Sequence, residues 1–436
     1  MNTLYRTLVL LLCLMFAFSA FAQVSSVPAE EFSVNGLKVV VKNNPANSIV
    51  SAQLYLRGGA MNLTEHTQGI EPLLLNSALK GTKNYPKDAL HAILDKTGSL
   101  ITSVSNRDFS SVTLRCLVGD LDVLWNVFAD VVMNPTLDAA EVNLVRENLL
   151  SGIKQRVDNP DGYLREVADE VFYGNNPYRL DPNGTEASIQ AITVDQLKKH
   201  LADNLVTTRL LLVVVGNVTK ADIEKKVTAT FGKLPKGNYS PRYPTAVKHS
   251  ASDIKVKERQ LPTNYILGLF NAPRIGEKDY YAATVAMNIL RNRVWEEVRT
   301  KRNLSYAPSA WLENQLLNRA AIYVSAVQPD TTIKVFFAEL KKIRTEPVSM
   351  KDLRDRVGLF LTSYYLQNET NDAQARFLAV HEISGLGWKA ADSFVDSIRK
   401  VTAKDVQDFA MKYLINPQFA VVGNPALIDE KLFTSM

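Results

Sequence analysis

The two halves of this sequence end in the same short pattern, and this repeat limits the possible folds more than any other feature. Each copy is a β-rich run closed by Gly-Asn, Val213-Val214-Val215-Gly216-Asn217 in the first half and Ala420-Val421-Val422-Gly423-Asn424 in the second. A threonine able to cap a helix precedes each copy, Thr193 and Thr402. Matching helix-then-strand endings indicate an internal duplication, and chance similarity of two such endings is the alternative.

A chain of 436 residues is also too long for one ordinary domain. Proline and glycine punctuate residues 232–250, which favours a linker between the halves. We therefore predict an α+β protein with two homologous domains, each a mostly antiparallel β-sheet packed with α-helices. The predicted domains span residues 28–231 and 251–436, and residues 232–250 join them.

The first 22 residues have the pattern of a secretory signal peptide. Arg6 precedes an apolar run from Leu8 to Phe18, and Ala20-Phe21-Ala22 provides a small-residue exit. The run is short for a membrane span, and an uncleaved anchor is the alternative. We expect an exported protein, periplasmic in a Gram-negative cell or otherwise extracellular, with no stable span after cleavage. Cys116 is then the only cysteine, and strand alternation places it on an apolar face.

The common chemical motifs are absent from the sequence. Positive and negative charges are interspersed around a net charge of +5, which does not favour nucleic-acid binding. The five histidines never recur at a spacing of three or four residues, so no helix presents a zinc-binding pair. Ser-x-x-Lys occurs at Ser77 and at Ser151 without companion motifs, so a serine hydrolase is not favoured.

One stretch resembles the signature helix of a known enzyme family. Residues 69–82 read Gly-Ile-Glu-Pro-Leu-Leu-Leu-Asn-Ser-Ala-Leu-Lys-Gly-Thr. They resemble the Gly-x-x-His-x-x-Glu-His-x-x-x-Lys-Gly-Thr pattern of the M16 (insulinase- or pitrilysin-like) zinc peptidases, and softer matches extend over most of the chain. The resemblance is to the M16B type, in which each chain has two such domains and two chains close around a chamber. It implies the LuxS/MPP-like metallohydrolase fold.

The resemblance also implies that the zinc machinery is missing. Pro72 and Asn76 stand at the two histidine positions, Leu75 at the general-base glutamate, and Gly152, within a residue, at the distal glutamate ligand. Zinc needs imidazole, thiolate or carboxylate donors, and a catalytic site needs three of them. We therefore expect no metal and no catalytic residue on this chain, with this helix serving as scaffold.

A second family segment is retained in the C-terminal half. Residues 292–306 resemble the family pattern Ser-Arg-Leu-x-x-x-Val-Arg-x-x-x-x-Leu-x-Tyr, which places its Arg and Tyr at Arg299 and Tyr306. In the family this pair binds the substrate carbonyl, and both side chains can donate to a developing oxyanion. Without the resemblance, Arg299 reads as a helix-surface cation and Tyr306 as a strand aromatic.

Two hypotheses follow from these resemblances. In the first, the chain is the non-catalytic subunit of an exported heterodimeric zinc peptidase. A partner bearing His-x-x-Glu-His would hold the zinc, and this chain would donate Arg299 and Tyr306 to peptide substrates. In the second, it is a purely structural or assembly protein with no role in proteolysis. A self-contained peptidase is less favoured than either, because it would need a metal site that the sequence lacks.

Overall fold

The computed structural model describes residues 28–436, so the predicted signal peptide at residues 1–22 lies outside the described residues. Within the described part, no helix is both long enough and apolar enough to cross a bilayer. The strands are β1 (Glu30–Val34), β2 (Leu37–Asn43), β3 (Ile49–Arg57), β4 (Leu100–Ser105), β5 (Phe109–Leu117), β6 (Leu210–Gly216), β7 (Asp253–Glu258), β8 (Asn264–Asn271), β9 (Ser309–Leu312), β10 (Arg319–Ala326) and β11 (Gln418–Gly423).

Helices connect and cover these strands. In the first half they are α1 (Ile70–Ala78), α2 (Lys87–Thr97), α3 (Leu121–Met133), α4 (Ala139–Asp158), α5 (Pro160–Tyr173), α6 (Glu186–Ala191), α7 (Val194–Asn204) and α8 (Lys220–Ala229). In the second half they are α9 (Tyr280–Val294), α10 (Pro329–Thr345), α11 (Met350–Gln367), α12 (Asn371–Ile383), α13 (Phe394–Arg399), α14 (Ala403–Tyr413) and α15 (Glu430–Thr434).

The strands form two sheets with the same connectivity. The first sheet has the order β1-β2-β6-β3-β5-β4 and the second the order β7-β11-β8-β10-β9. In each sheet one parallel pair, β2 with β6 or β7 with β11, adjoins an otherwise antiparallel ladder. Among the strands of residues 28–436, only β1, the outer strand of the Asn35-Gly36 hairpin, has no counterpart in the second sheet. The predicted α+β class is confirmed.

The glycine that ends the repeated strand is required for the same steric reason in both sheets. A Cβ on Gly216 would lie 2.9 Å from the Cα of Val50, and one on Gly423 would lie 3.0 Å from the Cα of Asn264. Each glycine therefore ends its strand where the neighbouring backbone leaves no room for a side chain. The threonines ahead of these strands also match, since Thr193 and Thr402 both form capping boxes.

The two halves exchange one helix each. Helix α5, from the first half, packs on β8 and β11 of the second sheet, and Phe172 of α5 is fully buried there. Helix α12, from the second half, packs on β3 and β6 of the first sheet, and Ala379 of α12 is fully buried. The sequence did not predict this exchange, which makes the halves share their cores. The proposed domain and linker boundaries stay predictions.

Candidate functional site

The degenerate signature lies on α1, a helix held inside the first domain. It begins after Gly69, whose φ of 83° is left-handed, and Pro72 occupies its first turn, where no backbone N–H is needed. The helix packs against α4, α7 and β4. This position suits the run of leucines, because Leu73, Leu74 and Leu75 are all buried.

None of the four degenerate positions provides a side chain that binds zinc. Pro72 is buried, and Leu75 is only 5% exposed and belongs to the core of the first domain. The Asn76 amide donates to the carbonyl of Pro72 at 2.7 Å and accepts from the Ser103 hydroxyl at 3.3 Å. The nitrogen and the oxygen of this amide therefore both have hydrogen-bond partners nearby. Gly152 lies on the exposed surface of α4. Proline, leucine, glycine and an engaged amide do not fit a zinc ion.

Among residues 28–436, His, Cys, Asp and Glu also form no group of three that could hold a metal. The chemistry that zinc would supply in an M16 site, activation of water, therefore has no donor set at this helix.

Helix α1 carries a buried charge that the sequence reasoning missed. Glu71 pairs with the fully buried guanidinium of Arg209, and its carboxylate also lies 3.4 Å from the imidazole of His200 and accepts from Ser110. Burial alone would raise the pKa of Glu71, but Arg209, His200 and Ser110 outweigh it and lower the pKa to about 2. Arg209 also donates to the carbonyl of Arg57 at 2.9 Å, so the network ties α1 to the sheet.

The Arg299–Tyr306 pair lies on the surface of the second domain. A π-helical turn, Trp295–Thr300, directly follows α9 and carries Arg299. The Arg299 guanidinium donates to the backbone carbonyl of Tyr306 at 2.7 Å. The central carbon of this guanidinium lies 4.3 Å from the centroid of the Trp295 ring and 5.4 Å from that of the Tyr306 ring. Tyr306 is 79% exposed, and its hydroxyl has no hydrogen-bond partner among the described residues. The stack holds the cation while leaving the phenol open to solvent.

These two groups of predicted residues do not meet within the chain. Leu75 packs in the core of the first domain, whereas Val298, next to Arg299, packs in the core of the second. No hydrogen bond or ion pair among residues 28–436 joins α1 to the π-helical turn. The Arg–Tyr pair therefore lies on the surface of the second domain, with no hydrogen bond to the degenerate helix within the described chain.

A buried ionic network where the halves meet is a second feature that sequence reasoning missed. Asp169 of α5 accepts from Arg107 at 2.8 Å and from Arg319 at 2.6 Å, and Arg319 also donates to Glu313 at 2.6 Å. Burial favours the neutral form of Asp169, but the charges of Arg319 and Arg107 outweigh it and lower the pKa of Asp169 below its usual value. The partners lie 62 and 150 residues from Asp169 in sequence, so no local pattern could reveal them.

The fold and the altered helix together define a class: a duplicated α+β chain of the M16 type in which the signature helix has lost its metal ligands. Comparison with known families agrees. Residues 38–185 match the insulinase (peptidase family M16) model, and residues 191–357 match the model described as the peptidase M16 inactive domain. The chain belongs to the M16 peptidase family.

Its relatives include proteins described as peptidases and proteins that are not. The chain is 21% identical over 386 residues to an uncharacterized zinc protease, YmxG, of Bacillus subtilis, covering 86% of this chain and 93% of the relative. It is 22% identical over 416 residues to the non-peptidase homolog YmxG of Helicobacter pylori, covering 92% and 95%. It is 24% identical over 421 residues to cytochrome b-c1 complex subunit 1 of Caenorhabditis elegans, covering 92% and 88%.

A solved structure supports the same fold. The peptidase M16 inactive domain from Pseudomonas fluorescens superposes with a TM-score of 0.82 at 19% identity, covering 91% of this chain and 98% of the other. With the ligand positions lost, this chain is an inactive M16-like homologue.

Proposed function

We propose that this chain is the non-catalytic subunit of an exported, two-chain M16 peptidase. In this proposal a second M16-like chain bearing His-x-x-Glu-His holds the zinc and the general base. This chain forms half of the peptide-holding chamber and donates Arg299 and Tyr306 to the substrate at the partner's zinc. Export rests on the pattern of residues 1–22, which predicts a signal peptide.

The observation that carries the proposal is the geometry of the Arg–Tyr pair. Arg299 commits one N–H to the carbonyl of Tyr306 and keeps further donors free, since a guanidinium has five. The Tyr306 hydroxyl is a second donor exposed to solvent. A guanidinium and a phenol that lie close together can both donate to the oxyanion that forms when water attacks a peptide carbonyl. Tyr306 is exposed and Arg299 partly exposed, so both can reach a substrate that the partner chain holds.

The contrast with α1 supports the division of labour. The zinc positions on α1 have been replaced by packing residues, and Leu75 now belongs to the core. A chain that cannot ligate zinc contributes to hydrolysis only through a partner that can. The chamber wall and the Arg–Tyr pair are what this chain could supply.

The test is to reconstitute the peptidase from two chains. This chain is purified alone and together with an M16-like chain bearing His-x-x-Glu-His, and zinc content and cleavage of short unstructured peptides are measured in each sample. We expect zinc and turnover only in the mixed sample. Stoichiometric zinc or robust cleavage by the lone chain would contradict the proposal.

Variants then test the pair itself. Arg299→Ala or Tyr306→Phe in the mixed complex should lower kcat roughly ten- to a thousandfold, as expected for loss of one oxyanion donor. Arg291→Ala is the matched control, because this exposed cation lies eight residues before Arg299 and its side chain has no hydrogen bond among the described residues. Equal turnover by all three variants would show that the pair does not act on substrate.

The alternative is a structural or assembly role, and one relative of the chain is named as a subunit of the cytochrome b-c1 complex. The same samples distinguish the two functions. An assembly protein would form a stable complex whose peptide cleavage does not depend on Arg299 or Tyr306.

A further inference from the structure

We infer that a cleft between α5 and the β9–β10 hairpin binds the carboxylate of a peptide. The cleft, called here the Arg165 cleft, has a volume of about 320 Å³ and is lined by residues that include Arg107, Arg165, Asp169, Trp311, Glu313 and Arg319. It lies where the two halves of the chain meet, and it is separate from α1 and from the Arg299–Tyr306 pair. Its volume falls at the lower end of the range for small-ligand sites.

The charges in the cleft do not cancel. Three guanidiniums, those of Arg107, Arg165 and Arg319, face two carboxylates, those of Asp169 and Glu313. Arg107 and Arg319 are paired with these carboxylates, whereas Arg165 forms no ion pair among residues 28–436. The excess is therefore one positive charge, located on Arg165. A single excess charge matches a monovalent carboxylate better than a phosphate dianion.

The free polar groups of the cleft are mostly donors. Both oxygens of Asp169 and one oxygen of Glu313 already accept hydrogen bonds from arginines. The guanidinium of Arg165, the indole N–H of Trp311 and the side-chain amide of Gln315 donate to no acceptor within the described residues. A ligand that fits must therefore bring acceptors, which a carboxylate and a peptide carbonyl do.

The aromatic ring gives Arg165 a preferred position. Its guanidinium lies 5.8 Å from the centroid of the Trp311 ring, which restrains a long, exposed side chain at the mouth of the cleft. A planar guanidinium placed in this way can bind a carboxylate through two parallel hydrogen bonds. Lysine at the same position would keep the charge but lose this geometry.

The position of Trp311 suggests why the carboxylate would belong to a peptide. Trp311 lies on β9, an outer strand of the second sheet, only five residues after Tyr306. Five extended residues span roughly 17 Å, the most that can separate Tyr306 from Trp311, so a peptide of this length is long enough to run from one to the other past the edge strand β9. Only this choice of carrier rests on the proposed function; the preference for a carboxylate rests on the cleft alone.

The test measures binding to this chain alone, without any zinc-bearing partner. Three N-acetylated tetrapeptides are titrated by calorimetry: tetra-alanine with a free carboxyl terminus, its C-terminal amide, and an amide with glutamate as its third residue. We expect at least one carboxylate peptide to bind ten times more tightly than the neutral amide, and more weakly at high salt. The first and third peptides distinguish a terminal carboxylate from a side-chain carboxylate.

Variants locate the site. Arg165→Ala should abolish the preference for carboxylate, Arg165→Lys should keep part of it, and the control Arg291→Ala should leave it unchanged. Equal binding of the neutral amide, no binding at millimolar peptide, or an unchanged preference in Arg165→Ala would overturn the inference. Each of these results leaves the turnover experiment on the mixed complex unaffected, so failure of the cleft and failure of the proposed function are distinguishable.

Discussion

Replacing Asp169 by asparagine should strongly destabilise the fold, because this one carboxylate neutralises two guanidiniums where the halves meet. The side chains of Arg319, Arg107 and Asp169 are 5%, 15% and 19% exposed. Asparagine keeps the volume of aspartate but not its charge. Arg107 would then have no carboxylate partner within the described chain, and Arg319 would keep only Glu313.

The expected cost follows from this burial. Removing one partner of a buried ion pair costs about 3–5 kcal/mol, and the partial exposure of Asp169 favours the lower end, about 3 kcal/mol. For the 409 described residues, an unfolding entropy of about 2.1 cal/mol/K per residue gives about 0.9 kcal/mol/K. If the halves unfold together, as their exchanged helices suggest, Tm should fall by about 3–4 °C.

Thermal unfolding followed by circular dichroism measures this change. Glu166→Gln is the matched control, because Glu166 is exposed on the same helix and its side chain has no hydrogen bond among the described residues. We expect the control to change the free energy of unfolding by no more than about 0.5 kcal/mol. The reasoning is refuted if Asp169→Asn lowers Tm no more than Glu166→Gln does.

Two further predictions concern buried carboxylates whose pKa values shift in opposite directions. Burial raises the pKa of Asp108 to about 6, so the stability that this carboxyl contributes is present below about pH 4 and is lost as the pH rises to 6. In urea unfolding, the free energy of unfolding of the wild type should fall by about 3 kcal/mol relative to that of Asp108→Asn over this range. A difference between the two proteins that does not change with pH would contradict the prediction. The pKa of Glu71 is lowered, and Glu71→Gln leaves Arg209 without its ion-pair partner. This variant should lower the free energy of unfolding by about 3–5 kcal/mol at pH 7, and by less as the pH falls from 4.5 toward 2. A loss of stability that does not change with pH would exclude the ion pair as its cause.

Features set by neighbouring residues could be predicted from the sequence. Asn35 and Gly36 both have positive φ, 49° and 89°, as a two-residue hairpin between β1 and β2 requires. The sequence pattern also predicts a helix near residues 87–97, and α2 spans Lys87–Thr97. Cys116, predicted on an apolar strand face, is buried in the core of the first domain. In each case the signal lies within a few residues of the feature it specifies.

Features that depend on distant partners could not be predicted in this way. The apolar stripe of α5 or α12 shows that the helix must be buried, but not that it covers the sheet of the other half. Glu71 and Arg209 are 138 residues apart, and each alone resembles an ordinary surface charge. The roles of Arg299 and Tyr306 came only from family resemblance, because a cation and an aromatic seven residues apart have no local signature.

The loss of the zinc positions and the survival of the Arg–Tyr pair have different physical consequences for the chain. Leu75 is 5% exposed, so a glutamate restored there would be a carboxylate buried in an apolar core without a metal to compensate it. Packing therefore favours the residues now present on α1 and disfavours the zinc-site residues that the family pattern has at these positions. Tyr306 is 79% exposed, and replacing its hydroxyl would break no hydrogen bond within residues 28–436. The stability of the fold therefore does not require that hydroxyl, and we expect Tyr306→Phe to leave Tm unchanged. A lower turnover of this variant in a two-chain complex, at the same Tm, would show that the hydroxyl acts in catalysis and not in packing.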